Sequence, residues 1–103
     1  MTTKRLAQID KRIDEIKKEI VLIGNMRPGS LTKQYKDSEN KTGAYYQISY
    51  THERRSRTEY VRQEHVKEVG KQVDNYKRYK ELTTEWVSLS IERSKLEMKL
   101  ANS

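Results

Sequence analysis

The sequence predicts an α+β protein. Two long helices form an antiparallel, coiled-coil-like hairpin, and a small three-stranded antiparallel β-sheet is inserted between them. Three observations predict this. Leu6, Ile9, Ile13, Ile16, Ile20 and Ile23 alternate spacings of three and four residues, which is the seam of an amphipathic helix. Tyr46, Ile48 and Tyr50 then alternate with Tyr45, Gln47 and Ser49, the two-residue period of a strand with distinct faces. From Gln63 onward the helical period returns, carried by Val66, Val69, Val73, Tyr76, Tyr79, Leu82, Trp86, Leu89, Leu96 and Leu100.

The first helix is expected over residues 3–24, with Thr2 or Thr3 as its cap and Gly24-Asn25 as its stop. It would be ~33 Å long at 1.5 Å per residue. Its remaining faces are charged, and a seam this narrow needs a partner, because isolated helices are marginal in water. The segment Gly24-Asn25-Met26-Arg27-Pro28-Gly29-Ser30 holds two glycines and the only proline, so it redirects the chain. The β insert spans residues 30–62. It reads as an edge strand over 31–36, a polar loop over 37–43, a strand over 44–51, a turn over 52–56 and a returning strand over 57–62. Three strands of this size need a helix against one face.

The second helix is expected over residues 63–100, ~55 Å long. Gly70 costs about 1 kcal/mol against alanine inside a helix, so two helices with a break near it are the alternative to a continuous one. Arg93 interrupts the stripe where an apolar residue is expected. The second helix outruns the first by several turns, which leaves part of its stripe uncovered. Trp86, Leu89, Leu96 and Leu100 are the expected seam of a homodimer.

Residues 1–103 read as a single domain. Only 33% of them are apolar and 36% are charged, against a usual apolar share of ~45–50%. The regular spacing of the apolar residues argues for narrow-seamed helices over disorder. No cysteine is present, so disulfides and thiolate metal sites are excluded, and a reducing cytoplasm suits the chain. No apolar run approaches the ~20 residues that span a bilayer, so no membrane association is expected. Met1-Thr2-Thr3-Lys4-Arg5 leads into an amphipathic pattern rather than a signal peptide. The net charge is +7, and residues 27–62, with eight Lys/Arg against four Asp/Glu, hold +4 of it. A localised positive field favours nucleic acid or an acidic protein surface.

An enzyme is not expected. The chain has two histidines and no cysteine, and its paired acids, such as Asp10 with Asp14, lie on a charged helix face where carboxylates are solvated ion-pair partners. Acid–base work needs a pocket that shifts a pKa. His52 and His65 lack companions at ligand spacing, so no metal and no cofactor are expected. The basic hairpin carries the chemistry instead. Arg54, Arg55 and Arg57, with Arg62 on the returning strand, present guanidinium forks that match phosphate oxygens without a pocket. Lys33, Lys36 and Lys41 are auxiliary phosphate partners. Tyr45, Tyr46, Tyr50 and Tyr60 share the sheet with them, and aromatics beside basic residues are what stacking on unpaired bases requires. Tyr45 is assigned to that site. The plainer reading makes Tyr46, Ile48 and Tyr50 the inner face of the sheet and leaves the arginines solvating a turn. Tyr76-Lys77-Arg78-Tyr79-Lys80 adds a basic helix face, a weaker signal.

Four short motifs occur in order: Arg27-Pro28-Gly29-Ser30-Leu31, Gly43-Ala44-Tyr45-Tyr46-Gln47-Ile48-Ser49-Tyr50, Thr58-Glu59-Tyr60-Val61 and Val73-Asp74-Asn75-Tyr76-Lys77-Arg78-Tyr79-Lys80-Glu81-Leu82. Over residues 27–82 the pattern resembles a family of small uncharacterised prokaryotic domains found near transposase-like genes in mobile elements and phages. Many of those carry cysteines between the first two strands. This chain has Lys36-Asp37-Ser38-Glu39-Asn40-Lys41 there, which removes any zinc knuckle. The resemblance implies a phage or mobile-element setting and a tie to nucleic acid. The expected function is thus that of a non-enzymatic accessory protein binding DNA or RNA phosphates through the basic hairpin. The alternative is an inhibitor or adaptor that binds a host protein or ribonucleoprotein complex, as an anti-CRISPR protein acts on a defence complex.

Overall fold

Helix α1 spans Thr2–Leu22, and its seam is built as the spacing predicts: Ile9, Ile13 and Ile16 are buried, with Leu6 and Ile20 half-buried on either side. The helix stops two residues short of Gly24. The amide of Ile23 donates to the carbonyl of Ile20 at 3.1 Å, an i→i−3 closure that tightens and ends the last turn. The structure, a computed structural model, describes residues 2–102.

Three strands follow, β1 (Ser30–Asp37), β2 (Thr42–His52) and β3 (Arg55–Val61). They form one antiparallel sheet in the order β1-β2-β3. A one-turn 3₁₀ segment, Gln63–His65, leads into α2, Val66–Ala101. This is the predicted fold class: one helix before and one after a three-stranded antiparallel sheet. Helix α2 is unbroken at Gly70, so the split-helix alternative does not hold. A Cβ at Gly70 would meet Leu31 Cδ2 at 3.6 Å, an ordinary contact, so nothing there forces a break.

The chain divides into two compact units, one formed by Met1–Ile23 with Arg78–Ser103 and one formed by Gly24–Lys77. In the first, α1 lies against the C-terminal part of α2, and charged rungs set the register. Arg5 pairs with Glu92, Arg12 with Glu85 and Arg78 with Glu19, so each advance of seven along α1 is matched by seven back along α2. The pairs are bidentate forks: Arg12 Nε and Nη2 reach Glu85 at 2.6 and 2.8 Å, and Arg5 reaches Glu92 at 2.6 and 2.8 Å. Paired flanks of this kind fix register and orientation more than they add stability. Arg93, which interrupts the apolar stripe, is explained in the same way. It binds Asp10 at 2.6 Å and also pairs with Glu97.

These hydrogen bonds hold the carboxyls of Asp10, Glu19, Glu85 and Glu92 below their ordinary values. A carboxyl that titrates lower when folded contributes stability above its unfolded pKa and loses it as the pH falls through the folded one. The helical melting temperature should therefore hold through neutral pH and fall on acidification below about pH 4. Circular dichroism of a Glu85→Gln, Glu92→Gln variant checks this. Its acid limb should be shallower than that of the unaltered chain, and an identical limb would remove the ion pairs from the account.

In the second unit the sheet has an inner face. Ile48 and Val61 are buried there with Val73 of α2, and Leu31, Tyr46, Tyr50, Val66 and Val69 pack around them. The loop before β1 is clamped to this core. The amide of Arg27 donates to the Gln72 carbonyl at 3.2 Å, and Asn75 Nδ2 donates to the Asn25 carbonyl at 2.8 Å. The Arg27 guanidinium sits 5.0 Å from the centre of the Tyr50 ring and 3.6 Å from Glu59.

Candidate nucleic-acid interface

Strand register decides where each basic residue lies. Leu31 pairs with Ile48, which pairs with Glu59; Lys33 pairs with Tyr46, which pairs with Val61. Cross-strand partners share a face and alternate residues change face. The inner face therefore carries Lys33 and Tyr35 from β1, Tyr46, Ile48, Tyr50 and His52 from β2, and Arg55, Arg57, Glu59 and Val61 from β3. The outer face carries Ser30, Thr32 and Gln34, then Tyr45, Gln47, Ser49 and Thr51, then Ser56, Thr58 and Tyr60. Hydroxyl contacts between Ser49 and Thr58 (3.2 Å) and between Thr51 and Ser56 (3.3 Å) run across it.

The β2–β3 connection is tighter than the sequence suggests. Only Glu53 and Arg54 form the turn, at φ 51° and 66°, while Arg55 and Ser56 already belong to β3. Two central residues with positive φ make the type I′ geometry that matches the twist of a hairpin. That geometry favours Asn-Gly, and here it holds glutamate and arginine. Arg54 thus occupies the left-handed region at the tip, where a side chain is costly. His52 pairs with Arg55 and Tyr50 with Arg57, so three arginines stand toward this end of the hairpin. Among the described residues no carboxylate stands within ion-pair distance of Arg54 or Arg55.

Arg57 lies beside a different cluster. Tyr50 donates from its hydroxyl to Glu59. That bond holds the Glu59 carboxyl below its ordinary value, reinforced by Arg27 and Arg57, and it raises the Tyr50 phenol.

The remaining predicted contacts do not join the arginine tip. Lys36, Tyr45 and Tyr60 line one groove with Gly43 and Ala44, toward the opposite end of the sheet. Lys41 sits at φ 54° in the β1–β2 turn, which Asp37 organises by accepting from the amides of Glu39 and Asn40 at 3.1 and 3.2 Å. Lys33 lies on the other face, its ammonium 5.6 Å from the Tyr35 ring. Arg62 follows β3 with its guanidinium 3.9 Å from Glu64. Tyr60 lines the same groove as Tyr45 without being among the residues the sequence assigns to the site. Tyr60 is 67% exposed, and its alternation with buried Val61 was the signal that marks it as outward.

Of the four residues expected at a dimer seam, Trp86, Leu89 and Leu96 are half-buried and Leu100 is exposed. Leu89 and Leu96 follow buried Leu82 at seven-residue steps, on the stripe whose flanks pair with α1, and the Lys17 ammonium lies 5.4 Å from the Trp86 ring. The more exposed apolar residues of α2 are Val87, Ile91 and Met98, on a stripe interspersed with Ser90 and Ser94 that the sequence pattern conceals.

Among the described residues no group of three or more histidine, aspartate or glutamate side chains is placed to hold a metal ion. None of the described helices is long and apolar enough to cross a membrane. No curated protein and no solved structure matches the chain. One family model does, over residues 6–71, from within α1 through the whole sheet into the first turns of α2, and on that match the chain belongs to DUF6788, a domain family of unknown function.

Proposed function

We propose that this chain is a non-enzymatic, cytoplasmic nucleic-acid-binding accessory protein of a phage or mobile element, and that it grips phosphates with the Arg54–Arg55–Arg57 end of its β-hairpin. One contrast carries the reading. Each arginine of the helical unit is engaged by a carboxylate, through Arg5–Glu92, Arg12–Glu85, Arg78–Glu19 and Arg93–Asp10, whereas Arg54 and Arg55, at the hairpin end, have no such partner among the described residues. Unpaired guanidinium groups retain all their donors for phosphate oxygens. Arg54 also stands where glycine would be more comfortable, and a side chain kept in a strained position motivates a functional reading.

The Arg54→Gly variant tests this directly, because its two effects have opposite signs. Stability should rise by about 0.5–1 kcal/mol as the left-handed position is relieved. Affinity for a labelled oligonucleotide should fall several-fold, with a salt slope shallower by about 0.7–0.9 for the lost phosphate contact. A stabilised variant that binds as well as the unaltered chain would remove Arg54 from the interface.

A further inference from the structure

We infer that the outer face of the sheet is a stacking platform for unpaired bases, which makes single-stranded nucleic acid the ligand class; this rests on the phosphate-binding reading and deepens it. The sheet's acids are segregated from this face. Asp37 and Glu59 fall on the inner side by register, and Lys36 is the one charged residue among the outward positions of the paired strands. A polyanion laid along this face meets no carboxylate within the sheet, only hydroxyls, amides and two aromatic rings.

Those rings are placed to work together. Tyr60 pairs with Gln47, and Tyr45 is the next outward residue along β2, so the two tyrosines are diagonal neighbours on adjacent strands. Diagonal positions are within reach of aromatic side chains, and both rings line the same groove. Lys36 borders them because Gly43 leaves room: a Cβ there would stand 2.9 Å from Lys36 Cβ and 3.3 Å from its Cδ. Arg62 keeps an extended backbone, φ −64° and ψ 146°, so the alternation that turns Tyr60 outward turns Arg62 outward as well. Lys36 thus stands beside the aromatic pair, with Arg62, whose guanidinium lies 3.9 Å from Glu64, at its edge, and Arg54 stands at the far end of β2, ~20 Å away at the rise of a strand.

Flat aromatic rings stack on bases only when those bases are out of a duplex. Stacked bases combined with a positive track are how sequence-tolerant single-strand binders work. A duplex hides its base faces and offers phosphates alone, so the two tyrosines should matter for one form of nucleic acid and not the other.

The experiment is fluorescence anisotropy with a labelled 20-nucleotide single strand and a 20-base-pair duplex, using the full chain and the variants Tyr60→Ala, Tyr60→Phe and Tyr45→Ala. Unchanged melting curves serve as the folding control, and the exposure of Tyr60 makes its variants the safer ones. The expected result is roughly tenfold weaker single-strand binding on losing either ring, unchanged duplex binding, and full retention in Tyr60→Phe. Equal losses on both ligands, or none on either, would overturn the platform while leaving the arginine contacts standing. Failure of the unaltered chain to bind either ligand would overturn both readings.

Discussion

Replacing Gly29 with alanine is expected to unfold or severely loosen the sheet unit, at a cost of about 2–4 kcal/mol. Two independent features make this the most damaging small substitution. Gly29 sits at φ 144°, a conformation that side-chain-bearing residues rarely adopt. Its missing Cβ would also lie 2.7 Å from Ile48 Cγ1 and 2.9 Å from Ile48 Cδ1. Ile48 has no slack to give, since it is fully buried and is packed with Val61 and Val73 inside a ring of Leu31, Tyr46, Tyr50, Val66 and Val69. Small domains are marginal to begin with, so a loss of this size removes a large fraction of what holds the unit together. Gly70→Ala is the control. It adds a methyl at ordinary contact distance and should gain about 1 kcal/mol of helix propensity. Thermal melts of the two variants should move in opposite directions, and a Gly29→Ala melt matching the unaltered chain would refute the packing argument.

On the functional side the largest effect is expected from reversing Arg54 and Arg55 to glutamate together. Both are exposed and neither has a carboxylate partner among the described residues, so the fold should survive with an unchanged melting temperature. Two attractive contacts become two repulsive ones at the tip of the hairpin. Affinity for nucleic acid should fall at least about tenfold at low salt. The slope of log K against log salt should flatten by about 1.4 for single strands and about 1.8 for duplex. Equivalent binding by the folded double variant would show that the hairpin end is only a solvated turn.

How far the sequence carries the reader depends on the range of the interaction. The Ile9–Ile13–Ile16 seam and the alternation of Tyr46, Ile48 and Tyr50 with Tyr45 and Gln47 are local periodicities, and the structure uses them as read. Arg93 interrupts the stripe only because periodicity weighs hydrophobicity alone; its meaning depends on Asp10, which lies 83 positions away in the chain. The rungs from Arg5, Arg12 and Arg78 were out of reach for the same reason. The arginine cluster was legible as composition, but its division was not. Only strand register shows that Lys33 and Tyr45 face opposite ways, and that Lys36 and Tyr45 lie at the other end of the sheet from Arg54. The two-residue turn is hidden in the sequence because Glu53-Arg54 lacks the glycine or asparagine that normally marks type I′ geometry.

Whether the hairpin arginines bind phosphates is decided by titrating the unaltered chain against labelled single-stranded and duplex oligonucleotides across a salt series. The expected result is micromolar or tighter binding at low salt, with log K falling linearly against log salt as phosphate contacts release counterions. Absence of binding to every oligonucleotide at the lowest salt would contradict it and leave the hairpin arginines without a nucleic-acid role.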